Sequence, residues 1–264
     1  MSLKIEFCAA TDKGKVRNNN EDSFLLAPEI ELAIVADGMG GHNSGEVASS
    51  LGVKVTREEF VSMSRSGMKP NPYNDKLCLE TNQLGFAVQL ANSVIYEAGN
   101  SSTDSKGMGT TLTAALFKSP ALCVAHIGDS RAYLIRGGDM KQITEDHSLV
   151  MEHVRSGLLT KEQAEASPLQ NILTKALGAQ KTPSIDMLEA ALEENDRILM
   201  CTDGLFKAVK EQEILATLKA MPDDQKACDS LVATANANGG PDNITLVIGT
   251  VKKKTLKETL KEMF

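Results

Sequence analysis

The chain has 264 residues, of which 42% are hydrophobic and 24% charged, and a formal net charge of −7. This is the composition of an ordinary globular protein with enough apolar material for a sizeable core, and the acidic balance argues against a nucleic-acid scaffold, which needs a basic face. No run of about eighteen apolar residues predicts a transmembrane helix, and the N-terminal MSLKIEFCAA lacks the apolar core of a signal peptide.

In chain order, 5–11 and 23–27 read as short strands flanking the polar loop DKGKVRNNNED. The next strand is 31–36. From Gly45 the pattern becomes helical, with Val47, Leu51, Val55 and Phe60 near one face. A loop is expected over 62–74, marked by Pro70 and Pro72, and a second helix over 76–98, with Leu79, Phe86, Leu90, Val94 and Ile95 as its apolar stripe. Segment 99–109 is polar and serine-rich. Strands return at 110–117, 121–127 and 131–135, and Gly137-Gly138-Asp139 makes a hairpin turn into 140–143. Short helices are expected at 147–157 and 160–165, an irregular stretch at 168–180, and strands at 185–188 and 197–202. Helices at 211–220 and 223–236 follow, the second capped by Asp223 or Asp224, and 243–251 is a closing strand.

Strands come in runs, with helices inserted in pairs. That order disfavours a parallel βαβ sheet. It fits an α+β fold, a four-layer αββα sandwich of two antiparallel sheets flanked by helix pairs. Residues 1–251 read as one domain, followed by a lysine-rich tail, 252–264, expected to be helical. The five cysteines are scattered, without CxxC spacing, so neither a disulfide framework nor a zinc knuckle is indicated; four lie in apolar runs as buried thiols. A reducing, cytoplasmic compartment follows.

One pattern carries chemistry. Asp37 ends AIVAD before Gly38, Asp129 follows the strand ALCVAHIG, and Asp203 ends ILMCTD before Gly204. Asp242 precedes the strand ITLVIG, and Asp22 opens SFLLA. A lone Asp in a turn means nothing. Five at strand boundaries of a two-sheet sandwich can share one rim, where they would repel unless cations offset them. Hard oxygen donors without a His/Cys cluster point to Mg²⁺ or Mn²⁺. Such a site activates water for in-line phosphoryl displacement, and the phosphate then needs a cationic fork. Arg17 is the first candidate. Arg131 is the second, with pairing to a carboxylate as its plainer role. Cys201, near Asp203, lacks the phosphate-cradling loop of a cysteine phosphatase and reads as core.

These residues occur in blocks, in order: VRNNNED, VADGMGGHNSGE, GTTL, HIGDSRAYL, ITEDHS, LTKALG, CTDGL and GGPDNIT. Over about 5–251 the chain resembles the metal-dependent 2C-type Ser/Thr protein phosphatases, the PPM family, in their compact bacterial form. The resemblance implies hydrolysis of phosphoserine and phosphothreonine in proteins by a metal-activated water, without a covalent intermediate. It implies two divalent ions, Mg²⁺ or Mn²⁺, with a third position in bacterial members. Asp37 would bridge the two ions, the Gly38 carbonyl would bind the second, and Asp203 and Asp242 would complete the first. Glu21 and Asp22 would hold waters of the second, and Asp129 with Asp203 would make the third position. Arg17 would bind the substrate phosphate, and Asn243 would orient Asp242.

Animal members carry a His directly after the DG, proposed as general acid. Met39 stands there in this chain. His42 lies three residues on and does not inherit that role; His126 and His147 read as structural. Segment 147–188 corresponds to the family's flap, with Gly157 and Pro168 suited to a mobile cover that tunes substrate choice. Expected partners are phosphoprotein substrates and a Ser/Thr kinase or its targets, with no nucleic acid, no membrane and a monomeric state. Competing readings are a catalytically dead binding module, disfavoured by the complete acid set, and a phosphatase of small phosphometabolites.

Overall fold

The computed structural model describes residues 3–41, 44–101 and 105–254. Eleven strands and seven α-helices are described there. The first strands are β1 (Leu3–Asp12), β2 (Asp22–Ala27) and β3 (Leu32–Met39), with a 3₁₀ turn at Pro28–Ile30. Helices α1 (Ser44–Ser66) and α2 (Leu79–Ser101) follow. Next come β4 (Gly109–Thr110), β5 (Leu112–Lys118), β6 (Ala121–Ile127), β7 (Arg131–Arg136) and β8 (Asp139–Gln142). Short helices α3 (Leu149–Arg155) and α4 (Lys161–Glu165) precede β9 (Asp186–Ala191) and β10 (Arg197–Cys201). The chain continues through α5 (Asp203–Phe206), α6 (Glu211–Ala220), α7 (Asp224–Ala237) and β11 (Ile244–Lys253).

One sheet has the order β1-β11-β10-β7-β8 and the other β2-β3-β5-β6-β9, with β4 paired to β3. Their pairings are antiparallel. Side chains alternate across a strand, and here both faces are apolar. On β3, Leu32, Ile34 and Ala36 pack under α1 and α2, while Ala33 and Val35 face the other sheet. On β11, Ile244, Leu246 and Ile248 pack under α6 and α7, while Val247 and Val251 face inward. The result is the expected αββα sandwich with three apolar layers. A side chain at Gly249 would strike the Phe117 ring, so glycine there lets the two sheets close.

Helix α1 runs to Ser66, past the expected start of the loop at 62. Phe60 and Met63 are buried one turn apart, and Gln83 of α2 donates to the Met63 carbonyl at 3.1 Å. Tertiary packing extends the helix past its weak local signal. The helix α5 after β10 was not expected; at four residues it is too short for periodicity to show. Asp223 caps α7, accepting from the Lys226 N–H. Lys252 and Lys253, assigned by composition to the tail, pair with Lys4 and Leu3 in β11. The rest of the expected tail helix, 255–264, lies outside the described residues, as does His42.

Candidate active site

Strand ends from both sheets meet at one rim. Asp22 and Asp37 stand directly opposite in the β2–β3 register. Asp203 opens α5 immediately after β10, Asp129 follows β6, and Asp242 precedes β11. A cleft of about 390 Å³ is lined by Arg17, Glu21, Asp37, Gly38, Asp129, Asp203, Asp242 and Asn243. Of the expected residues only Asp22 stands behind this lining, where its carboxylate accepts from Thr202 Oγ1 at 2.8 Å.

The backbone under the acids is fixed. The Asp37 N–H donates to Thr111 Oγ1 and the Asp37 carbonyl accepts from the Thr111 N–H, both at 2.9 Å. Thr111 in turn shares a 2.8 Å hydrogen bond with Ser130, beside Asp129. Asn243 ties three strand ends together: Oδ1 accepts from the Glu21 N–H at 2.8 Å, and Nδ2 donates to the Lys13 and Asn19 carbonyls. The Asn243 N–H donates to Asp242 Oδ1 at 2.9 Å. Gly38 is required for close approach, since a Cβ there would collide with the carbonyls of Gly45 and Glu21.

Burial raises the carboxyl of Asp37 well above the carboxylate range, reinforced by Asp22, Asp203, Asp129 and Asp242. Burial, then neighbouring acids, lifts Asp22 to about 7 against the hydrogen bonds it accepts. Burial, then Asp203, lifts Asp129 to about 7. Two cations offset this charge. Arg17 Nη2 lies 2.8 Å from Asp242 Oδ2, and that hydrogen bond raises its pKa. Lys207 Nζ lies 2.5 Å from Asp203 Oδ2 and 2.7 Å from Asn171 Oδ1 of the flap. Burial works against the Lys207 ammonium, but Asp203, Asp129 and Asp37 together raise its pKa.

Among the described residues, no three rim acids bring an oxygen each within 4.8 Å of one another. Mutual repulsion and the two tethering cations account for that spacing. The other oxygen of Asp203, Oδ1, is buried without a hydrogen-bond partner, a costly state for a carboxylate. An orphaned buried oxygen among hard donors fits a Mg²⁺ or Mn²⁺ ion.

Sequence reasoning missed Lys207, whose signal was its i,i+4 spacing from Asp203. It also missed Lys175, which lines the cleft from the flap, and the bonding of the Thr111, Ser130 and Thr202 hydroxyls, whose motif blocks name the residues but not their partners. Arg131 takes its plainer role: Nη2 pairs with Asp146 at 2.8 Å and Nη1 with Glu211 at 3.3 Å. His126 and His147 are buried and hydrogen-bonded, as structural histidines should be.

A two-sheet sandwich with hard oxygen donors and cations on one rim defines a class, the metal-dependent phosphohydrolases. The model of the family described as Protein phosphatase 2C matches residues 14–243. The chain is 36% identical over 241 residues to the serine/threonine phosphatase stp of Listeria innocua, covering 90% of this chain and 92% of that one. It superposes on the crystal structure of the Mycobacterium tuberculosis serine/threonine phosphatase PstP/Ppp with a TM-score of 0.80 and 36% identity, over 94% and 99% of the two chains. The catalytic domain of the serine/threonine protein phosphatase PstP in complex with two manganese ions aligns with a TM-score of 0.79 and 36% identity, over 96% and 100%. The chain therefore belongs to the protein phosphatase 2C family of Ser/Thr phosphatases.

Proposed function

We propose that this protein is a Ser/Thr phosphatase that hydrolyses phosphoserine and phosphothreonine in proteins with two Mg²⁺ or Mn²⁺ ions. One observation carries the reading: Asp37, Asp129, Asp203 and Asp242 line a single cleft with Arg17. Asp37, the Gly38 carbonyl, Asp203 and Asp242 would hold the two ions, with Glu21 and Asp22 behind the second and Asp129 beside a third. When bound, the ions make a water nucleophilic near neutral pH and offset charge on the phosphoryl oxygens, so no covalent phospho-enzyme is required.

The remaining work belongs to the chain. Arg17, half-exposed at the cleft mouth and now on Asp242, is the guanidinium that would grip phosphoryl oxygens. Asn243 holds Asp242 and the Glu21 backbone in one geometry. The flap presents Asn171, Leu173 and Lys175 to the cleft, where a substrate peptide would lie. We read 1–251 as one catalytic domain working as a cytoplasmic monomer on a Ser/Thr kinase or its targets. No described helix is long and apolar enough to cross a membrane, and the described cysteines are free thiols, which supports a reducing compartment.

The test is turnover of p-nitrophenyl phosphate and a phosphothreonine peptide with and without Mn²⁺, with small phosphometabolites as competitors. Metal-dependent turnover that Asp37→Ala abolishes is expected. Metal-independent turnover, or full activity in the variant, would overturn the reading.

A further inference from the structure

A second cluster of ligating side chains lies away from the acid rim, where α2 begins against the edge of the second sheet. Cys78 immediately precedes α2, Cys123 is in β6, and Glu189 is its direct partner across the β6–β9 register. The two Sγ atoms are 3.7 Å apart. Among the described residues this is the one group of three His, Cys, Asp or Glu side chains whose donor atoms all lie within 4.8 Å of one another.

The spacing matches a particular chemistry. With metal–sulfur bonds of about 2.3 Å and tetrahedral angles, two thiolates on one zinc-class ion stand roughly 3.7–3.8 Å apart. The carboxylate is already oriented: Glu189 Oε1 accepts from the Cys78 N–H at 2.7 Å and from buried Thr81 Oγ1 at 2.6 Å. Such outer hydrogen bonds are what fix a metal-binding carboxylate in place. Cys123 is fully buried, Cys78 is half-buried and Glu189 is exposed, so an ion would have apolar backing and an open route from solvent. The other close thiol pair, Cys8 of β1 and Cys228 of α7 at 3.3 Å, is buried between the other sheet and its helices and is not part of such a group.

We propose that Cys78, Cys123 and Glu189 form a binding site for a thiophilic divalent ion of the zinc or cadmium class, with solvent in the fourth position. The ion differs in type from the hard ions of the rim, because soft thiolates select against Mg²⁺ and Mn²⁺. Binding converts two thiols to thiolates and releases two protons. Because each thiol must give up its proton to bind, affinity rises with pH. A bound ion would tie the start of α2 to edge strand β9 and stabilise the fold by mass action. The proposal does not rest on the phosphatase reading.

The experiment is a Cd²⁺ titration of the full chain under reducing conditions, followed by the ultraviolet thiolate-to-cadmium charge-transfer absorption, which the rim carboxylates do not give. We expect saturation of that absorption at one equivalent. Cys78→Ser and Cys123→Ser should each weaken binding at least tenfold and reduce the absorption. Glu189→Gln should weaken binding while keeping the absorption, and Cys228→Ser should change neither. Thermal midpoints with and without Cd²⁺ report the clamp, and the half-buried Cys78 keeps the test open if Cys123→Ser fails to fold. No charge-transfer absorption in the native chain, its persistence unchanged in Cys78→Ser, or its loss only in Cys228→Ser would overturn the proposal.

Discussion

Two sets of carboxylates in this molecule are treated in opposite ways. Asp146 accepts from Arg131 Nε and Nη2 and from Gln142 Nε2, with contacts from 2.7 to 3.1 Å. Asp196, 1% exposed, accepts from Arg136 Nε and Nη2 and from the Glu193 N–H. Each is a buried charge fully answered by a guanidinium and further donors, the condition under which such a charge is tolerated. At the rim, five acids line the cleft with Asp22 behind them, Arg17 and Lys207 pair with Asp242 and Asp203, and Asp203 Oδ1 has no hydrogen-bond partner. The first arrangement holds the fold. The second keeps charge in reserve for something that arrives from solvent.

The contrast can be broken by removing a charge from each set. Asp37→Asn should cut Mn²⁺-dependent turnover by roughly three orders of magnitude or more, the scale of several kcal/mol. In EDTA the same variant should melt higher than the native chain, because it removes a charge that burial and four neighbouring acids oppose. Asp146→Ala should do the reverse. It leaves Arg131, 20% exposed, without its main counter-charge, and should cost about 3–4 kcal/mol in urea unfolding with no metal dependence. If Asp37→Asn destabilised the metal-free chain as much as Asp146→Ala, the distinction between the two sets would fail.

The buried histidine pair sharpens the comparison with pH. His126 and His147 stack with centroids 5.0 Å apart. His126 Nε2 faces the Glu145 carbonyl at 3.0 Å and so carries the proton, leaving Nδ1 to accept from the Thr113 hydroxyl at 2.9 Å. Burial, then His147, lowers its pKa from 6.5 to about 4. The unfolded chain therefore binds this proton first on acidification. Its stabilising contribution is complete above pH 6.5 and is lost as pH falls from 6.5 towards 4, at most about 3 kcal/mol by linkage. His126→Gln should flatten the stability–pH curve in that window relative to the native chain. Asp22 and Asp129, each raised to about 7 by burial, act in the opposite sense and cancel in the difference. Parallel curves would show that His126 is not held neutral.

The acids of the rim were legible in the sequence because each sits at a strand boundary beside a turn residue: Gly38, Gly204 and Asn243 follow Asp37, Asp203 and Asp242, and Ser130 and Ser23 follow Asp129 and Asp22. The layer order was legible because helices arrive in pairs between runs of strands. What holds the acids was not. Thr111 and Ser130 meet across a gap of 19 residues and Thr202 meets Asp22 across 180, and no local pattern encodes such partners. The same is true of Cys78 and Cys123, 45 residues apart, which spacing rules for metal knuckles cannot see. Arg131 shows the converse limit: sequence placed it two residues after rim acid Asp129, and only packing turned it instead to Asp146 and Glu211.

Lys207 gives the smallest effect and the most discriminating one. Its ammonium neutralises Asp203 at 2.5 Å and reaches the flap through Asn171 at 2.7 Å. An ion on Asp203 has to compete with that contact. Lys207→Met should therefore lower the Mn²⁺ concentration for half-activation about fivefold, equivalent to about 1 kcal/mol. In EDTA it should lower the thermal midpoint, because the acids lose a counter-charge. A phosphate-gripping lysine would behave otherwise: its loss would raise KM for the phosphopeptide and leave the Mn²⁺ requirement unchanged. Measuring KM and half-activating Mn²⁺ on the same variant separates a competitor for the metal from a ligand for the substrate. It thereby tests whether the cations at the rim are placeholders, unlike the permanent partners of Asp146 and Asp196.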